Sequence, residues 1–404
     1  MTTSSKPKLA LWFRYGPAEH AELFHALPTI VARLAEHAEV HYFGLRSRKP
    51  VPPAMALHMR VHTLPFRIDR TRTADKWCKT LLWIAAIPGL GLYCRLRGMR
   101  AVYIDETIPL VAPLARWFFG PRVAVTIADF FIDMYAGRHA VVRWLGVPVK
   151  RADWHAWKRV PLIFTRAKNT AGFLQQHGVP AERIHPVYDP CDFSRYHPID
   201  RAAARRDWHL PPTVRVLVHH GILHPNKGND RIIRALALHR NRFPDLHFLL
   251  IGDGPELPAL KRLTRELDME KRVTFTGWLP GIEQVNRALN AGDIGLVMRV
   301  GQPSDDFHMT GALVHSMACG LPILAARLAG IAEVVEDGRN GYLFDPRRMT
   351  EFVDKLVLLC DDPPSRERLG AQALLDARRH FDMKSVTRAT VEPLLALLGS
   401  ERTS

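Results

Sequence analysis

Short apolar segments alternate with helical segments along most of the chain, and this alternation constrains the fold more than any other feature. The segments typical of buried strands in the first half are KLALWFRYG, EVHYFGL, RAVYID and RVAVTIAD. Between the first two lies HAELFHALPTIVARLAEHA, which has the three- and four-residue apolar spacing of a helix. Strands separated by helices form parallel sheets. We therefore expect an α/β fold with doubly wound, Rossmann-like units.

The alternation resumes after residue 213, which predicts a second unit of the same type. A chain of 404 residues also suits two domains of about 150 to 200 residues better than one core. The stretch 189–213 is polar, contains four prolines and is interpreted as an interdomain linker. We predict domains at residues 1–190 and 191–380. Ligands of such sheets bind at the carboxyl ends of the strands, so we expect a site in a cleft between the domains.

Positive charge is concentrated in one part of the first domain. The formal net charge is +16, and residues 46–100 carry 12 Lys or Arg against two acids. Within this region residues 80–94 are apolar and uncharged, which is shorter than the roughly 20 residues of a membrane span. Pro88 and Gly89 are expected to break the segment.

Residues 77–100 are therefore predicted to contact a membrane surface. Trp77, Trp83 and Tyr93, with basic residues on both flanks, are typical of a segment lying on anionic lipids. The alternative is a buried helix with a solvated basic collar. Nucleic acid is not expected as a partner, because no reader motif accompanies the charge.

The cysteines give no sign of a disulfide framework or a zinc site. The five are scattered and form no CxxC pair, and the N-terminal residues lack a signal-peptide pattern. We expect a protein of the reducing cytoplasm, peripheral on the inner face of the membrane.

Three strand ends in the first domain carry groups suited to proton transfer. Gly16 allows a tight turn after the first strand, and His20 lies at the start of the next helix. Glu106 and Asp129 follow two further strands, where a carboxylate can act as general base on a hydroxyl. Each residue also has a structural interpretation as a cap, a turn residue or a surface group.

In the second domain, two strand ends suggest a nucleotide site. Gly221 ends one strand, and Lys227 lies just before the next helix, where backbone N–H groups and an ammonium can hold a diphosphate. Gly277 and Trp278 end a later strand and can flank a flat base. The alternatives are a solvated lysine and a core tryptophan. A Walker motif is absent, and GDG at 252–254 is an incomplete dinucleotide fingerprint.

The order of the second-domain motifs resembles the GT-B glycosyltransferases, in particular the group that uses nucleotide-activated sugars without a metal (family 4). The resemblance is strongest over residues 179–386. The motifs that carry it, in chain order, are GILHPNKGND, IGDGPEL, FTGWLP, DIGLVM, SMACGLPILA, GIAEVVEDGRNGYLF and HFDMKSV. It implies two Rossmann-like domains, a donor nucleotide bound by the second, an acceptor bound by the first, and a last helix, within 381–404, that packs back on the first.

The resemblance also implies roles for individual residues. It assigns the donor diphosphate and sugar to one group of residues and the nucleoside to another, and it implies neither a metal nor a cofactor. The diphosphate and sugar residues are Gly16, Gly221, Lys227, Asp306, Met309, Thr310 and Gly311. The nucleoside residues are Gly277, Trp278 and His315.

The chain departs from the family pattern where the donor would bind. Ile222 stands where the family has arginine, and Ala128 where it often has histidine. Retaining members carry two glutamates eight positions apart, and here Phe307 and His315 occupy those positions. Asp305 or Asp306 can replace the first glutamate if the loop shifts.

Three functions stay open on these grounds. The first is transfer of a sugar from a nucleoside diphosphate sugar to a lipid-linked or membrane-proximal glycan acceptor, with retention or inversion undecided. Inversion would require a base, and Asp129 is the first candidate, followed by Glu106 and His20. The other two are a nucleotide-sugar epimerase and a non-catalytic nucleotide-sugar-binding protein.

Overall fold

The computed structural model describes residues 6–68, 73–105, 108–128, 140–307 and 309–399. The chain divides into two compact units. Unit 1 comprises Met1–Pro190 and Met383–Ser404, and unit 2 comprises Cys191–Asp382. Each unit contains one parallel sheet, which confirms the predicted α/β class with two doubly wound units.

Unit 1 contains a seven-stranded sheet in the order β3-β2-β1-β4-β5-β6-β7. All of its strand pairs are parallel, with Leu9 opposite Val40 and Leu11 opposite Tyr42 at the centre. The strands are β1 (Lys8–Trp12), β2 (Glu39–Leu45), β3 (Met59–Leu64), β4 (Met99–Ile104), β5 (Val123–Ile127), β6 (Leu162–Thr165) and β7 (Ile184–Pro186). The helices are α1 (Pro17–Leu23), α2 (Leu27–Ala35), α3 (Pro53–Ala56), α4 (Thr73–Leu96), α5 (Val111–Phe119), α6 (Ala140–Trp157), α7 (Lys168–Gln176) and the last helix, α16 (Met383–Gly399).

Unit 2 contains a six-stranded parallel sheet in the order β10-β9-β8-β11-β12-β13. Its strands are β8 (Arg215–His220), β9 (Leu246–Ile251), β10 (Val273–Phe275), β11 (Ile294–Val297), β12 (Ile323–Ala326) and β13 (Gly341–Phe344). Its helices are α8 (Arg201–Arg206), α9 (Asn229–Leu238), α10 (Leu257–Glu266), α11 (Ile282–Asn290), α12 (Gly311–Ala318), α13 (Ala329–Ala332), α14 (Met349–Asp361) and α15 (Pro363–His380).

The last helix completes the core of unit 1. Val386, Val391 and Leu394 of α16 are buried in the same apolar cluster as Leu9 and Leu11 of the central strand. Without α16 this cluster would lose part of its cover, because helix α16 packs directly on α2. Its placement agrees with the fold implied by the resemblance.

Three local features differ from the expectations. Helix α4 runs through Pro88 without a break, because proline costs one hydrogen bond and here lies on the exposed side of the helix. The predicted first helix is two helices, α1 and α2. The stretch interpreted as a linker is mostly part of unit 2, since the N–H groups of His197 and Ile199 donate to Asn286 and Asn290 of α11.

Candidate functional site

The carboxyl edge of the unit 2 sheet is built from glycine turns that pack on each other. Gly221, Gly252 and Gly277 follow β8, β9 and β10 with φ of 130°, 128° and 67°, a region that favours glycine. A Cβ on Gly252 would lie 2.2 Å from the carbonyl oxygen of Gly221. The three turns therefore form a close-packed backbone surface beside which a ligand can approach.

Lys227 lies in the turn that follows this edge. It ends the 3-10 helix Pro225–Lys227, and Gly228 then takes the left-handed conformation that leads into α9. Burial and the charge of Arg299 lower the pKa of Lys227 to about 8, although Asp305 acts in the opposite direction. Lys227 is thus half-buried and lies near the positive charge of Arg299. Such surroundings favour the binding of an anion.

His220 and His315 form a hydrogen-bonded pair next to Lys227. His220 Nε2 and His315 Nδ1 are 2.9 Å apart. Burial, followed by the charge of Lys227, lowers the pKa of His220 to about 4, so this imidazole is neutral at physiological pH. The face of His315 stacks on the ring of Tyr196, with centroids 3.8 Å apart and planes 8° from parallel. His315 is therefore held by two neighbours and is not a stray surface histidine.

Helix α12 begins where the resemblance places the diphosphate. Thr310 is its N-cap, and the threonine hydroxyl accepts from the N–H of Leu313 at 3.4 Å. A Cβ on Gly311 would lie 3.3 Å from Cε1 of His315, so a larger residue would press on the imidazole. Met309 is buried in front of the cap. The cap leaves the other first-turn N–H groups unpaired within the helix, which suits an anion.

The two aspartates before α12 already have structural partners. Asp305 is buried, binds Arg299 at 2.7 Å and accepts from the N–H of Gln302. Asp306 accepts from the N–H of Ala329 at the start of α13. No group of three His, Cys, Asp or Glu able to hold a metal occurs in the described parts of the chain. Asp305 is thus engaged in fixing the loop that leads to α12.

The proposed base-flanking residues lie at an open part of the same edge. Trp278 is 72% exposed, so it is not a core residue. A Cβ built on Gly277 meets nothing within 4 Å. The structure therefore leaves space beside this turn, as the predicted contact with a nucleobase requires.

Unit 1 has a second polar cluster at the carboxyl edge of its own sheet. His20 Nε2 is 3.1 Å from Asp105 Oδ2, and Arg166 Nη2 donates to Asp105 Oδ1 at 2.7 Å. Burial, the largest single influence, raises the pKa of Asp105, but the charge of Arg166 and the hydrogen bond from His20, with smaller contributions, together outweigh it and bring the pKa to about 2. Asp105 is ionised and can only accept, so His20 donates from Nε2.

The turn after β1 is packed against its own unit. A Cβ on Gly16 would lie 2.4 Å from Ser47 Oγ, which also accepts from the N–H of Ala18. Glu19 accepts from the N–H of Arg48 at 2.6 Å. The close approach that Gly16 permits is thus to Ser47, and its role toward a donor stays a prediction. Glu106 and Asp129 lie outside the described residues.

Sequence reasoning missed two members of these clusters. His220 is the last residue of a strand, and Tyr196 lies in the stretch interpreted as a linker. Asp105 ends the predicted strand RAVYID, a position that suits a base, a turn residue or a cap, so the pattern did not predict its pairing with His20. Only the doubled histidine in VRVLVHHG offered a signal for His220. Successive side chains of a strand point to opposite faces of the sheet, so the two histidines have different surroundings. Tyr196 carried none.

The two Rossmann-like units are those of the GT-B fold. The crystal structure of Anabaena HepE in complex with UDP-glucose superposes with a TM-score of 0.69 at 20% identity, covering 96% of this chain and 99% of that one. Sucrose-phosphate synthase from Thermosynechococcus elongatus gives a TM-score of 0.74 at 16% identity, covering 98% and 100%. These similarities establish the fold.

Sequence comparison finds a family similarity in unit 2. Residues 214–362 match the model described as Glycosyl transferases group 1. D-inositol 3-phosphate glycosyltransferase of Nocardia farcinica is 30% identical over 224 residues, covering 54% of this chain and 48% of that protein. GDP-mannose-dependent alpha-(1-6)-phosphatidylinositol monomannoside mannosyltransferase of Mycolicibacterium smegmatis is 28% identical, covering 65% and 68%. The chain spans about half the length of most of the curated relatives that it matches.

Proposed function

We propose that the protein is a glycosyltransferase that moves a sugar from a nucleoside diphosphate sugar to a hydroxyl of a lipid-linked or membrane-proximal glycan acceptor. Such a step belongs to polysaccharide or glycolipid biosynthesis on the inner face of the membrane. The observation that carries the proposal is the cluster of Lys227, His220 and His315 at the start of α12. Anabaena HepE, which has a similar structure, was crystallised in complex with UDP and with UDP-glucose, and this supports the donor class.

In this proposal Lys227 and the first turn of α12 bind the diphosphate of the donor. Both are positive, and the nearby carboxylate of Asp305 is bonded to Arg299 and not to the lysine. When the sugar–phosphate bond breaks, negative charge grows on the leaving diphosphate. A preorganised ammonium and helix N-terminus stabilise that charge without moving. We therefore propose that neither a metal nor a cofactor is needed.

His315 takes the position of a ribose-binding acid and would contact the ribose hydroxyls through its ring edge. Tyr196 covers one face of the imidazole, and the ring of His220 lies 5.1 Å away on a nearly parallel plane. Gly277 and Trp278 would flank the base. A neutral histidine can donate or accept one hydrogen bond, whereas a glutamate accepts two. We expect the nucleoside to bind more weakly than with the family glutamate.

For the acceptor, His20 is the candidate base whose surroundings the structure describes. With Nε2 bound to Asp105, its Nδ1 lone pair is the group that would take the proton of the acceptor hydroxyl. Nδ1 is buried and has no hydrogen-bond partner in the described part of the chain. Asp129 and Glu106 remain alternative candidates for the same role.

The test is turnover of a panel of UDP-, GDP- and ADP-sugars with the full chain, measured as release of nucleoside diphosphate, with and without EDTA. Lys227→Ala should lower turnover by about 100-fold or more, because removing a preorganised charge-stabilising group typically costs that much. Lys261→Ala, which changes an exposed lysine of the same unit, should leave turnover unchanged.

The other two functions give different results in the same experiment. An epimerase would convert one nucleotide sugar into another without releasing diphosphate or needing an acceptor. A binding protein would show saturable binding that Lys227→Ala weakens, with no turnover. Equal activity of Lys227→Ala and the wild type would refute the site assignment.

A further inference from the structure

Helix α4 of unit 1 has two apolar faces, of which only one is covered. Trp83, Ile87 and Cys94 are buried against the unit. Gly91 lies so close to α5 that a Cβ there would be 2.2 Å from the ring of Phe118. Trp83 is thus a packing residue and not an interfacial one, which corrects its predicted role at a membrane. The helix is fixed on the unit along one side.

The opposite face of α4 is apolar and faces solvent. Leu81 is 62% exposed, Leu92 is 54% exposed and Leu96 is 77% exposed, and Ala85 lies between them at helical spacing. Residues 80–94 carry no charge. At a rise of 1.5 Å per residue, this uncharged part of the helix is about 22 Å long. An uncovered apolar surface of this kind normally marks a place of interaction.

This face is not suited to crossing a bilayer, although Ala74–Leu96 is long and apolar enough by length and composition alone. A spanning helix is surrounded by lipid or by other spanning segments, whereas α4 packs on α5 and on strand β4 of the unit 1 sheet. A helix held by its own unit on one side can only lie along a surface. That is the geometry of an interfacial helix.

A groove with cationic and aromatic walls continues the face beyond the end of α4. It has a volume of about 1460 Å³ and lies at the amino-terminal edge of the sheet, beside Met99, where β4 begins. The lining includes Arg95, Arg100 and Trp117, with one acid, Glu392. Trp117 is 81% exposed, although tryptophan usually buries most of its surface.

We propose that the exposed face of α4, together with Arg95, Arg100 and Trp117, docks unit 1 on a bilayer that contains anionic phospholipids. The apolar face would enter the interface, Trp117 would lie at the headgroup level, and the arginines would bind lipid phosphates. Charge selects this occupant. Residues 76–104 contain five Lys or Arg and no Asp or Glu. These basic residues flank the uncharged face at both ends, so its surroundings are complementary to negative charge.

The inference extends the membrane-proximal acceptor of the proposed function but uses none of the residues placed in its donor or acceptor site. The test therefore needs no donor or acceptor. Binding of the full chain to vesicles is measured by co-sedimentation, with phosphatidylcholine alone and with phosphatidylcholine containing 30% phosphatidylglycerol, about the anionic share that gives a strongly negative surface. Tight binding is expected only to the mixed vesicles, weakening as salt is raised.

Two pairs of variants separate the apolar from the charged contribution. Leu81→Gln with Leu92→Gln should weaken binding to the mixed vesicles about tenfold or more. Arg95→Gln with Arg100→Gln should weaken it about 10- to 30-fold and reduce its salt dependence. All four positions are exposed, so the folded structure should be retained, which circular dichroism checks.

The matched controls are exposed residues of the same types in unit 2. They are Leu238→Gln with Leu375→Gln, and Arg262→Gln with Arg265→Gln. Controls that weaken binding as much as the α4 variants, or binding that is equal on neutral vesicles, would overturn the proposal. Saturable binding to a protein in place of vesicles would assign the surface to a protein partner and also overturn it. Donor turnover measured on the same preparations shows separately whether the proposed function holds.

Discussion

The imidazole of His315 stacks flat on the ring of Tyr196, with centroids 3.8 Å apart and an interplanar angle of 8°. Tyr196 lies 119 positions earlier in the chain, in a stretch that has little regular structure. The stack and the hydrogen bond to His220 together fix the orientation of a side chain that is predicted to contact the ribose of the donor. The consequences of this arrangement can be measured.

Removal of the stack should weaken donor binding without abolishing turnover. Tyr196→Leu frees the ring of His315, and an aromatic pair contributes about 0.5–1.5 kcal/mol beyond its buried area. We expect the donor KM to rise by up to roughly tenfold, with a smaller change in kcat. Tyr196→Phe keeps the ring and should behave like the wild type. A kcat loss larger than the KM change would place Tyr196 at the reacting sugar instead.

Donor affinity should fall as the pH rises from 7 to 9. Burial and Arg299 lower the pKa of Lys227 to about 8, so the free protein loses this positive charge over that range. The diphosphate keeps its charge, and only the attraction disappears. Lys227→Arg keeps its charge throughout and should show a flatter pH profile of donor Kd. An identical pH dependence in both proteins would show that another group titrates.

Asp153→Asn should stabilise unit 1 at neutral pH. Asp153 is buried and accepts from the N–H of Leu110 at 2.9 Å. Burial raises its pKa to about 7, partly offset by that hydrogen bond. This carboxyl binds its proton more tightly in the folded state than in the unfolded state. The free energy of unfolding therefore falls as the pH rises from about 4 to 7.

An asparagine keeps the accepting oxygen and does not ionise. The difference in unfolding free energy between Asp153→Asn and the wild type should grow by at most about 1.4 kcal/mol per pH unit across that window. Thermal unfolding at pH 5, 6, 7 and 8 measures it. Asp245→Asn, at a carboxyl whose side chain is 64% exposed, is the control and should show no such trend.

Asp305→Ala should destabilise unit 2 far more than Asp306→Ala. The Asp305–Arg299 pair is buried, with side chains 2% and 12% exposed, and breaking such a pair leaves an uncompensated charge at a cost of about 3–5 kcal/mol. Asp306→Ala removes the bond to the N–H of Ala329, worth about 1 kcal/mol, from a residue that is more exposed than Asp305. Urea unfolding compares the two. Similar losses would mean that the pair does not hold the loop.

The fold class was predictable because strand and helix periods repeat along the chain. Glu39–Leu45 is a strand over the same seven residues that the pattern EVHYFGL marks. Local patterns were less reliable where tertiary packing overrides them. Pro88 was expected to end a helix, yet α4 continues because its other turns are held against α5 and the sheet.

The candidate site was only partly predictable. Gly221, Lys227 and Thr310 follow strands or begin helices, and such positions can be identified from a pattern. Tyr196 has no local signal and Asp105 only that of a strand-ending carboxylate, since their roles depend on which side chains the fold brings beside them. The partners that define them, His315 and His20, are 119 and 85 positions away.

The sequence by itself determined the two parallel sheets and the resemblance of unit 2 to glycosyltransferases, because periodicity and motif order are properties of neighbouring residues. Only the tertiary structure decided the state of the charged and aromatic groups. It pairs Asp305 with Arg299, makes Asp105 the partner of His20, stacks His315 on Tyr196, and leaves one face of α4 uncovered. Burial, pKa and stacking depend on distances through space, and these are set when distant segments pack together.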